Sequence, residues 1–249
     1  MRAPARGSTQ PPWMRPVTER LSPTITTLVL VSVVMFAFYA VVKPAQLFVA
    51  AHLALTPAAL IVPEPWQIAT SLFVHLEPFN LLFNLIGLWF DGATIEREQG
   101  RTRFLLLFFV PAVVANLAMA VVMWMGFGGQ SFSGSSLSVL ALFVAFGRLY
   151  GRTPARVWGG LVLEARTLTL ILIGFSLFAD LARANLVAFG GDVIAVAIAF
   201  GLSGRRGAGF EDLFRGLPGG KPRRRFQVVE GGAKPGGDAK EGRRAGYLN

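Results

Sequence analysis

The chain contains no cysteine. A disulfide framework, a thiol nucleophile and a thiolate metal site are therefore all excluded. Histidine is nearly as scarce, with only His52 and His75 among 249 residues. Any chemistry that needs an imidazole must use one of these two. Charge is also sparse, since Asp, Glu, Lys and Arg make up 15% of the chain. An ordinary soluble domain carries about 25%. With 53% hydrophobic residues, the composition excludes a disordered chain and points away from a water-soluble globule toward a membrane-embedded bundle.

What is abundant is long uncharged sequence. A transmembrane helix needs about 20 mostly apolar residues. Residues 25–42 carry no charge and end at Lys43-Pro44. Residues 70–90 contain only His75 and Glu77 near their start. Residues 104–147 hold no charged side chain at all, a length that suits two helices. The Gly/Ser-rich stretch 126–136 between them reads as a turn. Residues 168–182, interrupted by Asp180, and residues 185–202, with Asp192 as their only charge, supply two more spans. The reading is an all-α membrane protein with six transmembrane helices. Pro111 lies inside the third span and is a candidate kink.

Positive charge sets the orientation. The formal net charge is +10, and 22 of the 24 Lys and Arg residues fall in the N-terminal tail, the second and fourth connections and the C-terminal tail. Only Lys43 and Arg183 fall on the other side. Six spans with both termini in the cytoplasm of a cell with an inner or plasma membrane account for this asymmetry. Residues 1–20 are then a cytoplasmic tail, residues 21–204 the membrane domain, and residues 205–249 a basic cytoplasmic tail expected to be largely unfolded. The run Pro222-Arg-Arg-Arg225 suits anionic headgroups or simple topology fixing. Nucleic acid is not expected as a partner, because no basic folded domain presents the run. A cleaved leader would need a shorter apolar stretch and a small-residue cleavage site, and Lys43-Pro44 supplies neither.

The most informative segment is residues 66–100, WQIATSLFVHLEPFNLLFNLIGLWFDGATIEREQG. It resembles the rhomboid superfamily of intramembrane serine proteases and their inactive relatives. Trp66-Gln67 stands where Trp-Arg is usual in that family, and Thr70-Ser-Leu-Phe-Val-His75 matches its Thr-x-x-Phe-x-His stretch. Leu53-Ala-Leu-Thr-Pro57, Glu164-Ala-Arg166 and Arg223-Arg-Arg-Phe-Gln-Val-Val-Glu230 extend the likeness over about residues 20–230. The resemblance implies a six-helix rhomboid-like bundle. It also implies a family chemistry of peptide hydrolysis within the membrane, with no cofactor and no metal. The partners implied are the lipid bilayer and transmembrane segments of other membrane proteins.

Carried over by motif, the family's Gly-x-Ser-Gly falls on Gly134-Ser135-Ser136-Leu137. Ser136 is then the candidate nucleophile, with Leu137 in place of the usual Gly. Gly129-Gln-Ser131 is a second Gly-x-Ser. The second-helix His-x-x-x-Asn falls on Asn80-Leu-Leu-Phe-Asn84, leaving Asn80 and Asn84 as oxyanion-side candidates or as partners in interhelical hydrogen bonds. The sixth-helix His-x-x-Gly-x-x-x-Gly falls on Asp192-Val-Ile-Ala195-Val-Ala-Ile-Ala199, which puts Asp192 at the base position. A second register puts Phe189 or Gly190 there, and no register puts a histidine there. Losing one member of a serine catalytic unit costs on the order of 10⁴–10⁶ in rate. A carboxylate such as Asp192, with an ordinary pKa of about 4, is a weak base unless burial raises it, and it also has structural readings, an ion pair with Arg183 or a seat near the external water boundary. His75 matches a family histidine outside the catalytic pair and reads as a loop or interfacial residue.

Three functions follow. The first is a pseudoprotease that keeps the fold and holds transmembrane segments. The second is a divergent intramembrane serine endopeptidase using Ser136. The third is a small transporter built around Asp192, which lacks the broken helix pair expected of a transport site.

Overall fold

The computed structural model describes residues 22–60, 64–152, 154–156 and 162–204. Both tails lie outside these, including the arginine run at 222–225. The described chain is built mostly of helices. Helix α1 (Pro23–Val41) starts at Ser22, whose Oγ accepts a hydrogen bond from the Ile25 N–H at 3.1 Å. Pro23 occupies its first turn, where a missing N–H costs nothing. A short helix α2 (Lys43–His52), again opened by proline, follows at once. A single 3₁₀ turn (Pro57–Leu60) and the four-residue α3 (Gln67–Thr70) precede α4 (Pro78–Gly87). Helix α4 runs through a π turn (Leu88–Gly92) into α5 (Ala93–Gln99). Gly100, at φ +88°, ends α5 in a conformation that side chains resist, and α6 (Arg101–Trp124) starts on its far side.

The second apolar segment therefore becomes helical only at Pro78, not at Thr70. Residues 71–77 form a turn and irregular chain instead, because Pro78 lacks the N–H that a helix running through it would need. The remaining spans follow the sequence more closely. Helix α7 (Ser136–Leu149) follows the Gly/Ser-rich connection, and α8 (Ala165–Ala182) follows a two-stranded antiparallel ribbon of β1 (Pro154–Arg156) and β2 (Val162–Glu164). Helix α9 (Leu186–Leu202) is capped by Asn185, which accepts from the Ala188 N–H at 3.1 Å. Among the described residues α1, α6 and α8 are long and apolar enough to cross a bilayer; α7 and α9 are apolar but shorter.

Helix α6 is the centre of the bundle. Phe104, Leu107, Phe108, Ala112, Ala115, Met119 and Met123 are buried along it at helical spacing. Pro111 is accommodated within the same helix, its ring buried rather than at a break. Helix α9 packs against α6 and α7 through small residues. Gly191 lies so near Met119 that a Cβ would sit 2.4 Å from its Sδ. Ala195 and Ala199, one and two turns on, are fully buried. In lipid the helices gain nothing from apolar burial alone, so close backbone approach through small residues supplies the packing. Gly147 does the same between α7 and α8, where Thr169 would meet a Cβ at 2.5 Å.

Hydrogen bonds fix which helix ends lie together. Arg148, near the end of α7, donates to the carbonyl of Phe200 near the end of α9. Arg103, near the start of α6, donates to Gly204 O at 2.6 Å. Ser22 donates to Glu96, bringing the start of α1 beside α5. At the other end Asn185 donates to Gln130 Oε1 at 2.9 Å, joining the start of α9 to the α6–α7 connection. The basic connections thus gather at one end and the polar loops at the other. Apolar side chains such as Leu47, Phe83, Phe175 and Phe178 point outward from the bundle, as a lipid-facing surface requires.

Candidate functional site

Three loop segments meet at the polar end. Leu55 and Phe132 pair backbone to backbone, with N···O distances of 2.9 and 2.8 Å. Gln67, fully buried at the position where the family's arginine is usual, ties the first segment down. Its Oε1 accepts from the Thr56 N–H at 2.9 Å and its Nε2 donates to Ala51 O at 3.0 Å. Glu64, which accepts from Gln67, also bonds His52 Nδ1 at 2.7 Å. Asn116 on α6 anchors the turn before α4 by donating to Ile68 O and Ser71 Oγ at 2.9 and 3.0 Å. Ser71 O in turn accepts the Gly134 N–H at 2.9 Å.

Gly134 is the pivot. Its φ is +102°, and an added Cβ would lie 2.7 Å from Asn80 Oδ1 and 3.4 Å from His75 Cδ2. Both the conformation and the space require glycine. Directly after it Ser135 is buried, 4% exposed, whereas Ser136 opens α7 and is exposed. The structure brings Asn80, Asn84 and Ser136 together. Asn80 Nδ2 and Asn84 Nδ2 lie 3.4 and 3.3 Å from Ser136 Oγ, and Asn84 Nδ2 lies 2.7 Å from Asn80 Oδ1.

The polarity of this chain is fixed by one group. A backbone N–H always donates, and that of Ser135 points at His75 Nε2, 3.3 Å away. Nε2 is therefore an acceptor and the imidazole carries its proton on Nδ1, which donates to Phe73 O at 3.3 Å. The Asn84 atom 3.2 Å from Nε2 must then be the amide nitrogen. Its other proton is left for Asn80 Oδ1 and Ser136 Oγ, and Asn80 turns its own Nδ2 to Ser136. Both asparagines thus donate to the Ser136 oxygen, and neither accepts its proton.

Asp192 lies elsewhere in the hydrogen-bond network. It is 6% exposed and its Oδ2 accepts from Ser176 Oγ on α8 at 2.5 Å. Among the described residues the ion pair with Arg183 expected as an alternative does not form. Among the described residues Ser136 and Asp192 share no hydrogen bond. Leu137 is buried, in the core between α6 and α9. Ser131, of the second Gly-x-Ser, is exposed in the α6–α7 connection.

Sequence reasoning missed His75. Read as a loop or interfacial histidine, it does lie between helices, but 1% exposed at the centre of the network. Burial lowers its pKa, and the Phe73 carbonyl opposes that in part. The signal was its place in the Thr70-to-His75 stretch, one turn of chain before Asn80. No group of three His, Cys, Asp or Glu residues suited to a metal ion occurs among the described residues.

Comparison with known proteins decides the family, because the Rhomboid domain model matches residues 62–205. The chain belongs to the rhomboid family. Rhomboid-like protease 2 of Toxoplasma gondii is 32% identical over 141 residues, 52% of this chain and 47% of that protein. Rhomboid protease GlpG of Salmonella typhi is 23% identical over 193 residues, 76% of this chain and 66% of that protein. GlpG of Yersinia pestis strain Pestoides F is 27% identical over 139 residues, 54% of this chain and 47% of that protein. The chain spans about half to two-thirds of the length of these relatives. Within the matched rhomboid domain lie all the candidate residues, Asn80, Asn84, Ser136 and Asp192. As a rhomboid-family membrane protein the chain contacts lipid through its outward apolar side chains.

Proposed function

We propose that this rhomboid-family chain is a pseudoprotease, a membrane protein that holds the transmembrane segments of partner proteins without cutting them. The observation that carries the reading is the hydrogen bonding of Ser136. A serine becomes a nucleophile when a neighbouring base takes its proton. Here the two groups on Ser136 Oγ are amide donors, and the side chain at the family's base position, Asp192, bonds Ser176 on a different helix. Donors without an acceptor can polarise a bound carbonyl but cannot start the attack. The arrangement of helix ends and the gathering of Arg97, Arg103 and Arg148 at one end support six spans, with the 1–20 and 205–249 tails both on the cytoplasmic face of the plasma or inner membrane.

A protein purified into proteoliposomes with a model transmembrane substrate tests the proposal. Capture of the substrate by crosslinking, with no cleavage product, is the expected result. Cleavage that vanishes in Ser136→Ala overturns it. The relatives named as proteases favour a second reading, a divergent intramembrane serine endopeptidase with Ser136 as nucleophile and Asn80 and Asn84 at the oxyanion. That reading requires Ser136 to be labelled by a serine-directed fluorophosphonate.

A further inference from the structure

The arginines at the basic end of the bundle divide into two sets. Arg103 and Arg148 are committed to the end of α9, donating to the carbonyls of Gly204 and Phe200. Arg97, Arg101, Arg152 and Arg166 are exposed. Among the described residues the one ion pair is His52 with Glu64, at the other end, so none of these four is paired with a carboxylate. The acids nearby in the chain are turned to other donors. Glu96 accepts from Ser22, and Glu98 accepts from the Tyr150 phenol at 2.6 Å. Glu164 is exposed at the start of α8. From 93 to 104 and from 148 to 166 the sequence holds seven arginines against three glutamates. This end keeps an excess of positive charge that contacts among the described residues do not neutralise.

Two contacts gather the exposed charges. The Tyr150–Glu98 bond brings the end of α7 to the end of α5, and so Arg152 to the neighbourhood of Arg97 and Arg101. The Arg166 N–H donates to Gly151 O at 3.1 Å, and Arg166 Cβ lies 3.4 Å from where a Cβ on Gly151 would stand. Arg152 and Arg166 therefore start from adjoining points of the backbone. Arg166 also shares a face of α8 with Leu170, one turn on and 60% exposed. Along that face the chain passes from a guanidinium to a lipid-facing leucine in about 6 Å. This is the depth at which a long basic side chain lays its stem along apolar surface and keeps its charge in the polar layer.

We propose that Arg152 and Arg166, with Arg97 and Arg101 beside them, bind the phosphate headgroup of an anionic phospholipid in the leaflet at this end of the bundle. A guanidinium meets phosphate oxygens through two parallel N–H donors, a fit that an ammonium lacks. Phosphatidylglycerol carries a net negative charge, whereas the choline of phosphatidylcholine cancels its phosphate. An acidic soluble protein would meet Leu170 one turn from Arg166, a side chain that suits acyl chains instead. The site goes beyond the handling of partner helices, because it lies at the opposite end of the bundle from Ser136.

The test titrates the full chain, in a neutral detergent, with fluorescent phosphatidylglycerol and in parallel with fluorescent phosphatidylcholine. The parent should bind phosphatidylglycerol more tightly. Arg152→Gln and Arg166→Gln, both at exposed positions, should each weaken that binding by about fivefold and leave phosphatidylcholine binding unchanged. Should one variant fail to fold, the other carries the same prediction. The basic tail supplies the control. Replacing Arg223, Arg224 and Arg225 together by glutamine should leave the preference for phosphatidylglycerol in place. An equal concentration of inorganic phosphate should not displace the lipid. Equal binding of the two lipids by the parent overturns the site. So does a preference that survives undiminished in the Arg152 and Arg166 variants, or one lost only in the tail variant. Displacement by inorganic phosphate overturns the lipid assignment and leaves a soluble anion as the ligand.

Discussion

Replacing His75 by phenylalanine removes the acceptor on which the serine loop depends, together with the weaker Nδ1–H bond to Phe73 O at 3.3 Å. The ring shape is roughly kept and Nε2 is lost. Three donors then lose that acceptor, the Ser135 N–H at 3.3 Å, the Asn84 amide at 3.2 Å and the Ser135 hydroxyl at 3.4 Å, which is free to turn to another partner. A buried donor left unpaired costs about 1–3 kcal/mol. Asn84 keeps Asn80 Oδ1 and Ser136 Oγ, so most of the loss falls on the backbone N–H, and about 2–3 kcal/mol is expected in total. His75→Gln, which offers a carbonyl oxygen in a similar place, should recover part of it. The assay is unfolding followed by circular dichroism in mixed micelles. The same residue predicts a pH dependence. Burial holds folded His75 neutral, with its pKa below the ordinary value, while in the unfolded chain it takes up a proton below about pH 6.5. The unfolded state then binds more protons, so stability falls as pH drops through that region. The Phe variant has no imidazole here and should lack this contribution. A parent and a Phe variant with the same stability within about 0.5 kcal/mol, or with the same acid-side slope, would refute the assigned polarity.

Further substitutions probe the neighbouring contacts. Gly134→Ala forces a Cβ against Asn80 Oδ1 at φ +102° and should cost about 2–4 kcal/mol in the same unfolding assay. Gly147→Ala drives a methyl into Thr169 and should cost about 1–3 kcal/mol while loosening α8, seen as faster proteolysis at the β2–α8 junction, Glu164-Ala165. Ser136→Ala, at an exposed position, should change stability by less than about 0.5 kcal/mol and leave partner capture in the proteoliposome assay intact. Ala184, at φ +53° in the α8–α9 turn, should gain about 1 kcal/mol on replacement by glycine, read as a higher unfolding midpoint.

Much of the architecture was legible because bilayers impose local rules. An uncharged run has few places to go, so the helices at 23–41, 101–124, 136–149, 165–182 and 186–202 match the apolar segments within a few residues. The Gly/Ser connection announced the α6–α7 break, and Gly134 was placed by its motif. The second segment was misjudged at its start because hydropathy does not register that Pro78 rejects an incoming helical turn. The lack of a sixth-helix histidine needed only the count of two histidines in the chain. What sequence spacing could not supply is the direction of each polar group. That Asp192 bonds α8, that His75 is an acceptor within the serine loop and that Asn80 and Asn84 both donate to Ser136 depend on contacts between residues distant along the chain, His75 and Ser135 being 60 apart. Such contacts follow from how α6 seats the loops around Asn116 and how Gly134 lets them close. Local composition determines which segments enter the membrane, and only their packing decides where each hydrogen-bond donor finds its acceptor.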